Sequence, residues 1–469
     1  MYPGPNLEML EAQARVCTGP HQSRPLGRGE DGPRPERVLQ LVFQSLSGEL
    51  PFGEAVSPAQ MGAFFAAMNI RRRYGEKTGW SAAEHAAFSV GDIEQLPEVL
   101  RFLLGRAQVF VGETGENATV KALRTVLRGG HLSYLEARAV LTEILANRVR
   151  PELMAAFLIG QRMNIENDDE VLAYLDAILP PEEVIEVDTP SLTHFGQPFD
   201  GALRYFRPTL FVAAVRAALG RPTVLHGVDY MPPKGGITEE QLLKELGARV
   251  DLSLVEGAEL LQKIGLIYIS QREYAPGAYA LRTLREHIKK RPPWATAEKA
   301  QQLYRCKGRN CAVLGFYHTG YGGKLLDMMR ARGYDAGLAI KGEEGTTHYA
   351  LRLGKASDAE RKAINYTEGF CAERAWAEDV QPRNFGIDYE QSPRAQEASM
   401  AAFTREGMAA LAGEKGAAYD RIALSVGVAD YYLGFCERAQ EGVEQARRVL
   451  DDGRARRVLE RYIEQSQQL

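Results

Sequence analysis

His226-Gly227 ends a short β-branched run, Thr223 to Leu225, and the chain then passes through Lys234-Gly235-Gly236 into Thr238. With Gln241 three residues on, Thr238 makes a capping box ahead of the apolar stripe Leu242, Leu243 and Leu246, and Gly247 closes the helix. Strand, glycine-rich loop and capped helix in that order suit a phosphate. Main-chain N–H groups at a helix start face an anion, and glycines let the backbone come close to it. His226, Gly227, Lys234, Gly235, Gly236 and Thr238 are therefore the first candidate ligand-binding residues.

The elements that must hold such a loop are legible around it. Ser133 and Glu136 form a second capping box, and Ala137, Val140, Leu141, Ile144 and Leu145 follow the spacing of an amphipathic helix. The next predicted helix, Pro151-Glu-Leu-Met-Ala-Ala-Phe-Leu-Ile-Gly, is nearly repeated by the earlier Pro58-Ala-Gln-Met-Gly-Ala-Phe-Phe-Ala-Ala. Residues from about 36 to 90 and from about 119 to 180 thus read as related helical units, a duplication or a rearranged half-copy. Apolar strands, Thr223 to Leu225, Val313 to Phe316 and Leu338 to Ile340, alternate with capped helices. That alternation predicts a large α/β domain with a mostly parallel central sheet over 186–469, behind an all-helical domain over 36–185 to which later helices could return. Residues 1–35, rich in Pro, Gly, Arg and Glu without a period, read as a mobile or surface-wrapped arm.

Bulk properties narrow the function. A chain of 469 residues, 45% of them hydrophobic, can bury a full core. No run approaches the roughly 18 apolar residues of a membrane span, and the start has no signal-like apolar core, so a cytoplasmic protein with no membrane partner is expected. Five scattered cysteines exclude a secreted disulfide framework, and Cys306-x4-Cys311 lacks the second pair of a zinc site. Formal charge of −4 puts no general demand for nucleic acid on the surface. Local basic clusters stand out instead: Arg71 to Arg73, then Arg282, Arg285, Lys289, Lys290 and Arg291, then Arg305, Lys307 and Arg309.

Taken in order, several segments resemble the anthranilate phosphoribosyltransferase family, glycosyltransferase family 3. Leu132-Ser133-Tyr134-Leu135-Glu136-Ala137 is similar to its Leu-Thr-x-x-Glu-Ala helix start, and Leu225-His226-Gly227 to its Lys-His-Gly-Asn-Arg strand end without the basic residues. Arg383 to Ile387 resembles a Pro-Glu-Asp-Phe-Gly loop, Leu411 to Leu424 a helix, glycine turn and buried strand, and Gly442 to Ala446 with Asp452-Gly453 the closing helices. The likeness runs from about Thr119 to Leu469 and implies a nucleoside phosphorylase/phosphoribosyltransferase-like fold. It also implies a site for phosphoribosyl diphosphate and Mg²⁺, and a homodimer formed through the helical domain.

Such a site needs a pyrophosphate cradle, metal carboxylates and a basic wall, and the resemblance places all three. The family's Gly-Thr-Gly-Gly-Asp-Gly loop falls on Gly196-Gln197-Pro198-Phe199-Asp200-Gly201, where Gly196, Asp200 and Gly201 remain. Pro198 has no N–H to donate and Phe199 carries a bulky side chain. The metal Asp-Glu pair falls on Thr347 and His348 in Lys341-Gly-Glu343-Glu344-Gly-Thr-Thr-His, which are poor Mg²⁺ ligands, and Glu343 and Glu344 read as a solvated loop. Arg285 falls at the family's arginine after a Phe-Ala-Pro-x-x-His-Pro-Ala segment that is here Ile269-Ser-Gln-Arg-Glu-Tyr-Ala-Pro-Gly, and Thr209 matches the serine of its Asn-Ile-Ser-Thr run. The pattern resembles a divergent branch that lacks the glycine-rich loop. The resulting expectation is a degenerate active site with no confident catalytic residue, no metal and no cofactor. Its cleft, near His226, Lys234 and Arg285, would be reused for nucleic acid or a phosphorylated small molecule, with Arg282, Lys289, Lys290 and Arg291 as a basic strip. The alternative is an active family 3 transferase using Mg²⁺ and an unknown acceptor.

Overall fold

The computed structural model describes residues 4–27, 32–89, 91–107, 118–318, 320–352 and 365–469. They divide into two compact units, one made of residues 1–177 with 280–297, the other of 178–279 with 298–469. Segment 280–297 therefore clusters with the helical unit rather than with the α/β domain to which its position in the chain assigned it.

Among the described residues, helices alone build the first unit. Ser57 and Gln60 close a capping box at the start of helix Pro58–Arg71, and Pro151 occupies the first turn of helix Pro151–Asn164. These two near-repeats are each 14 residues long and pack on one another. The approach requires glycine at Gly62, where an added Cβ would lie 2.0 Å from the carbonyl oxygen of Glu152. Helix Pro58–Arg71 is buried almost all round, so its aromatic residues Phe64 and Phe65 are core. Arg71, counted in a basic cluster, is also buried and forms an ion pair with Glu84 at 2.7 Å.

The expected N-terminal arm is corrected in part. Leu7–Val16 is a helix capped by Asn6 that buries Met9, Ala12 and Val16, and Gln13 donates to the carbonyl of Gln60 at 3.1 Å. Buried apolar positions at helical spacing outweigh the Pro and Gly content of the neighbouring residues. Residues 1–3 and 28–31 of that stretch lie outside the described residues. The returning helix Arg282–His287 is tied in by His287, whose Nδ1 lies 2.9 Å from Ser57 Oγ.

The second unit is an α/β layer structure. Its strands are β1 Ile185–Val187, β2 Ser191–Gly196, β3 Thr223–Gly227, β4 Leu266–Ser270, β5 Tyr304–Cys306, β6 Arg309–Gly315, β7 Ala336–Ile340, β8 Tyr366–Cys371 and β9 Arg374–Asp379. Seven form one sheet in the order β4-β3-β2-β6-β7-β8-β9, and β1 pairs with β5. β4 through β7 in that order are parallel, and β8 and β9 extend the sheet antiparallel. The parallel strands β3, β4 and β7 are buried along their whole length, as helices on both faces require. One expected strand is a helix: after Gly413 and Gly416 the chain runs as helix Ala417–Tyr432, because its apolar residues recur all round a buried cylinder rather than on alternate positions. Among the described residues no helix is long and apolar enough to cross a membrane.

Candidate functional site

In open parallel sheets ligands bind outside the carboxyl ends of the strands. Here that edge carries the loop after β2, residues 196–208, and the loop after β3, residues 227–238. The two loops are zipped together. Gly236 N donates to the Asp200 carbonyl at 2.8 Å, and Ala202 and Ile237 exchange both main-chain bonds at 2.9 Å. Gly201, at φ +75°, lies so close to Gly236 that a Cβ would come within 2.3 Å of that backbone. Its glycine therefore serves loop-to-loop packing. Phe199 is buried against Val228 and Met231, with its ring edge-on to His226 at 5.6 Å.

The start of the Thr238 helix, expected to face an anion, is lined by the chain's own carboxylates. Thr238 caps Gln241 as predicted, but helix Glu239–Glu245 is only seven residues long and opens with two buried carboxylates. Glu239 pairs with Arg207, and Glu240 accepts from Tyr268 Oη at 3.0 Å and pairs with Arg272 at 3.1 Å and Lys244 at 2.8 Å. Carboxylates already sit where the helix dipole would draw an anion. Gly235, at φ +60°, packs on the Tyr230 ring, and Gly236 has spent its N–H on Asp200.

Lys234 is likewise engaged. Its Nζ lies 2.5 Å from the Gly201 carbonyl and 2.7 Å from Glu344 Oε1. Glu344, at φ +54°, also accepts from the main-chain N–H groups of Leu203, Arg204 and Tyr205 at 3.2, 3.0 and 3.2 Å. Three successive amides and an ammonium make an anion nest, and an internal carboxylate fills it. Burial works to raise the Glu344 carboxyl, but the hydrogen bond and charge of Lys234, with the amides of Arg204 and Leu203, outweigh it and hold the group below the usual range.

The metal positions are closed in the same way. Gln197 Nε2 donates to Thr347 Oγ1, and Thr347 N donates back to Gln197 Oε1 at 3.3 Å. His348 Nδ1 lies 2.7 Å from Thr346 Oγ1, and burial, then the charges of Arg421, Arg207 and Lys234, push its pKa well down, leaving a neutral ring. Glu343, expected on a solvated loop, is buried and pairs with Arg421 at 3.0 Å and with Ser392. Glu343 and Glu344 are drawn to different partners, and among the described residues no group of three or more His, Cys, Asp or Glu side chains is placed to hold a metal ion. A hydroxyl and a neutral imidazole do not fit Mg²⁺, which takes anionic oxygen ligands.

The basic residues 282–291 belong to the helical unit and do not form one exposed face. Arg285 is only 4% exposed, Arg282 and Lys290 are half-buried, and Lys289 and Arg291 alone are open. Burial, followed by the charge of Arg162, lowers the Lys290 pKa. His226 and Lys234 belong to one unit and Arg285 to the other. His318 is exposed beside Tyr317 and Tyr321.

Toward β3 and β4 the edge is different. His226 Nδ1 lies 3.4 Å from Tyr274 Oη, but Nε2 has no partner, and burial pushes the imidazole down to about 3. Gln271, the first residue after β4, is fully buried with neither amide atom bonded. Thr209 Oγ1 and Arg207 Nη1 are buried and unpartnered as well, although Arg207 holds Glu239 and the Pro198 carbonyl through its other nitrogens. Leaving a buried polar group unsatisfied costs about 1–3 kcal/mol, so such groups call for a partner. Arg207 and Gln271 were not singled out from the sequence, and Glu344 was read only as part of a solvated loop.

A mostly parallel sheet, an active-edge loop pair and a separate helical unit define the phosphoribosyltransferase-like class. The helical stretch 120–179 matches the family described as "Glycosyl transferase family, helical bundle domain". Anthranilate phosphoribosyltransferase of Methanobrevibacter smithii is 23% identical over 356 residues, covering 73% of this chain and 98% of its own, and that of Xylella fastidiosa is 25% identical over 353 residues, covering 73% and 96%. Among solved structures, the enzyme of Thermus thermophilus superposes with a TM-score of 0.57 at 20% identity, over 75% of this chain and all of its own. That of Saccharomyces cerevisiae in complex with PRPP and Mg gives 0.61 at 14%, over 76% of this chain and all of its own. The chain is thus similar to the anthranilate phosphoribosyltransferases, glycosyltransferase family 3, over about three quarters of its length and shares their fold.

Proposed function

We propose that this chain is a divergent, non-catalytic member of that family whose sheet-edge site binds a ligand instead of transferring a phosphoribosyl group to anthranilate. One observation carries the reading: the anion nest just beyond the expected cradle and the expected metal position are satisfied from within, Glu344 on amides 203–205 and Lys234, and Thr347 on Gln197. A substrate phosphate would have to displace a buried, paired carboxylate. The active-transferase alternative needs Asp200, Glu343 and Glu344 to converge on Mg²⁺, and Arg421 and Lys234 hold the two glutamates elsewhere.

Of the two occupants expected from the sequence, a small molecule, phosphorylated or not, is favoured over nucleic acid. Polyanion binding draws on several exposed cations acting together, and here Arg285 is buried with Arg282 and Lys290 half-buried. Self-association through the helical unit belongs to the same proposal and is read by sedimentation equilibrium. The functional test is pyrophosphate release from PRPP with anthranilate and Mg²⁺. The expected rate is several orders of magnitude below that of an active family enzyme, since loss of one oxyanion donor alone costs about 10²- to 10³-fold. Turnover at an enzyme-like rate overturns the proposal.

A further inference from the structure

Gln271 stands where the family's Phe-Ala-Pro-x-x-His-Pro-Ala segment has proline, so it adds two polar atoms at a position that otherwise offers no side-chain hydrogen bond. It is fully buried, and neither its oxygen nor its nitrogen has a partner. The sheet register fixes its neighbours. Ser270 lies opposite Gly227 and Ile269 opposite His226, so Gln271 begins one step beyond the strand end that carries the unpartnered His226 Nε2. Tyr274, on the same short helix Gln271–Tyr274, reaches His226 Nδ1, and both Phe199 and Tyr274 present ring edges to the imidazole at 5.6 and 6.0 Å. The charged groups of this half are already paired, Glu240 with Arg272 and Lys244, and Arg207 with Glu239. The unmet groups are neutral apart from one guanidinium nitrogen, and they lie among aromatic side chains.

A carboxamide offers a donor and an acceptor side by side in one plane, the pattern that reads the edge of a heterocyclic base in two hydrogen bonds. A benzoate-like acid presents only acceptors. Resting on the ligand-binding reading of the sheet edge, we propose that Gln271 is the specificity-determining residue of that site and selects a neutral planar heterocycle with an adjacent hydrogen-bond donor and acceptor.

The test is calorimetric titration of the full chain with adenine, hypoxanthine and uracil, with benzoate as the acid control, on wild type, Gln271→Met and Gln271→Glu. At least one ring should bind wild type more tightly than benzoate does. Gln271→Met should weaken that ring about 10- to 100-fold, the span of one bidentate contact, while its unfolding midpoint stays at or above wild type. Gln271→Glu, which keeps acceptors and loses the donor, should change the rank order of the three rings, a result that a packing role would not give. The inference is overturned if no ring binds wild type, if Gln271→Met binds as wild type does, or if Gln271→Glu weakens all rings alike. Anthranilate-dependent pyrophosphate release would instead overturn the reading on which it rests, so the two failures are separable.

Discussion

The two halves of one sheet edge treat polar groups in opposite ways. On the β2, β6 and β7 side, Gln197 closes on Thr347, Glu343 on Arg421 and Ser392, and Glu344 on Lys234 and three amides, so the groups at the expected metal positions and beside the expected cradle have internal partners. On the β3 and β4 side, His226 Nε2 and the whole Gln271 amide are buried with none. The difference teaches where a ligand can still gain free energy. Displacing an internal carboxylate exchanges one set of bonds for another, whereas meeting an unpartnered amide recovers a penalty already incurred in the empty protein.

Three measurements sharpen or break this contrast. The largest effect is expected in the closed half. Glu344→Gln leaves Lys234 without its carboxylate, and removing one member of a buried pair typically costs about 3–5 kcal/mol. Denaturant unfolding should show a loss toward the lower end of that range, because the Lys234 side chain keeps 16% exposure. A change below about 1 kcal/mol would mean that the amide nest does not depend on charge.

An intermediate effect concerns acid. Burial pushes His194 and His226 down to about 3, and burial followed by the charges of Arg421, Arg207 and Lys234 holds His348 well below its ordinary value. Each takes up its proton near 6.5 when unfolded. The unfolded chain thus binds more protons below about 6.5, and their contribution is complete above about 6.5 and lost as pH falls toward the folded values, about 3 for His194 and His226. Each histidine should contribute a slope of about 1.4 kcal/mol per pH unit in that window. Glu344 adds a loss in the same direction at lower pH, as its depressed carboxyl takes up a proton. Urea midpoints at about pH 7.5 and about pH 5.5 should differ in wild type, and His226→Leu should remove one histidine's share; an unchanged slope would place the imidazole in water.

The smallest effect has the opposite sign. Gln271→Met in the ligand-free protein replaces an unsatisfied amide with an apolar chain of similar length, so stability should hold or rise by about 1–2 kcal/mol. A fall beyond about 1 kcal/mol would show that the amide has a partner in the free protein.

Much of the fold was legible because local and global signals agree. The capping boxes at Ser133 and Thr238 formed as read, and the β-branched Thr223 to Leu225 run lies within a parallel strand. The buried helix Ala417–Tyr432 was misread because apolar residues on every side of a helix leave no 3.6-residue stripe to see. The closed half of the site was half legible. Pro198, Phe199, Thr347 and His348 fall at the cradle and metal positions that the resemblance implies, and their residue types alone argue against both roles. The groups that filled the space were hidden, since Glu344 meets residues 139 to 141 positions away and nothing local distinguishes it from a surface glutamate. Arg285 misled for the reverse reason: burial of an arginine is decided by tertiary packing, and a basic run reads the same whether it faces water or core.

The contact between Gly62 and the main chain of Glu152 bears on how this chain can be dissected. The family match begins at residue 120, yet helix Pro151–Asn164 inside it is covered by helix Pro58–Arg71 from outside it, at a backbone distance that tolerates no side chain. The added segment is therefore a graft rather than an appendage. Trimming the protein to the length shared with its relatives would strip one face from the helix that carries Phe157 and Ile159, and the remainder would have to find another cover or remain sticky.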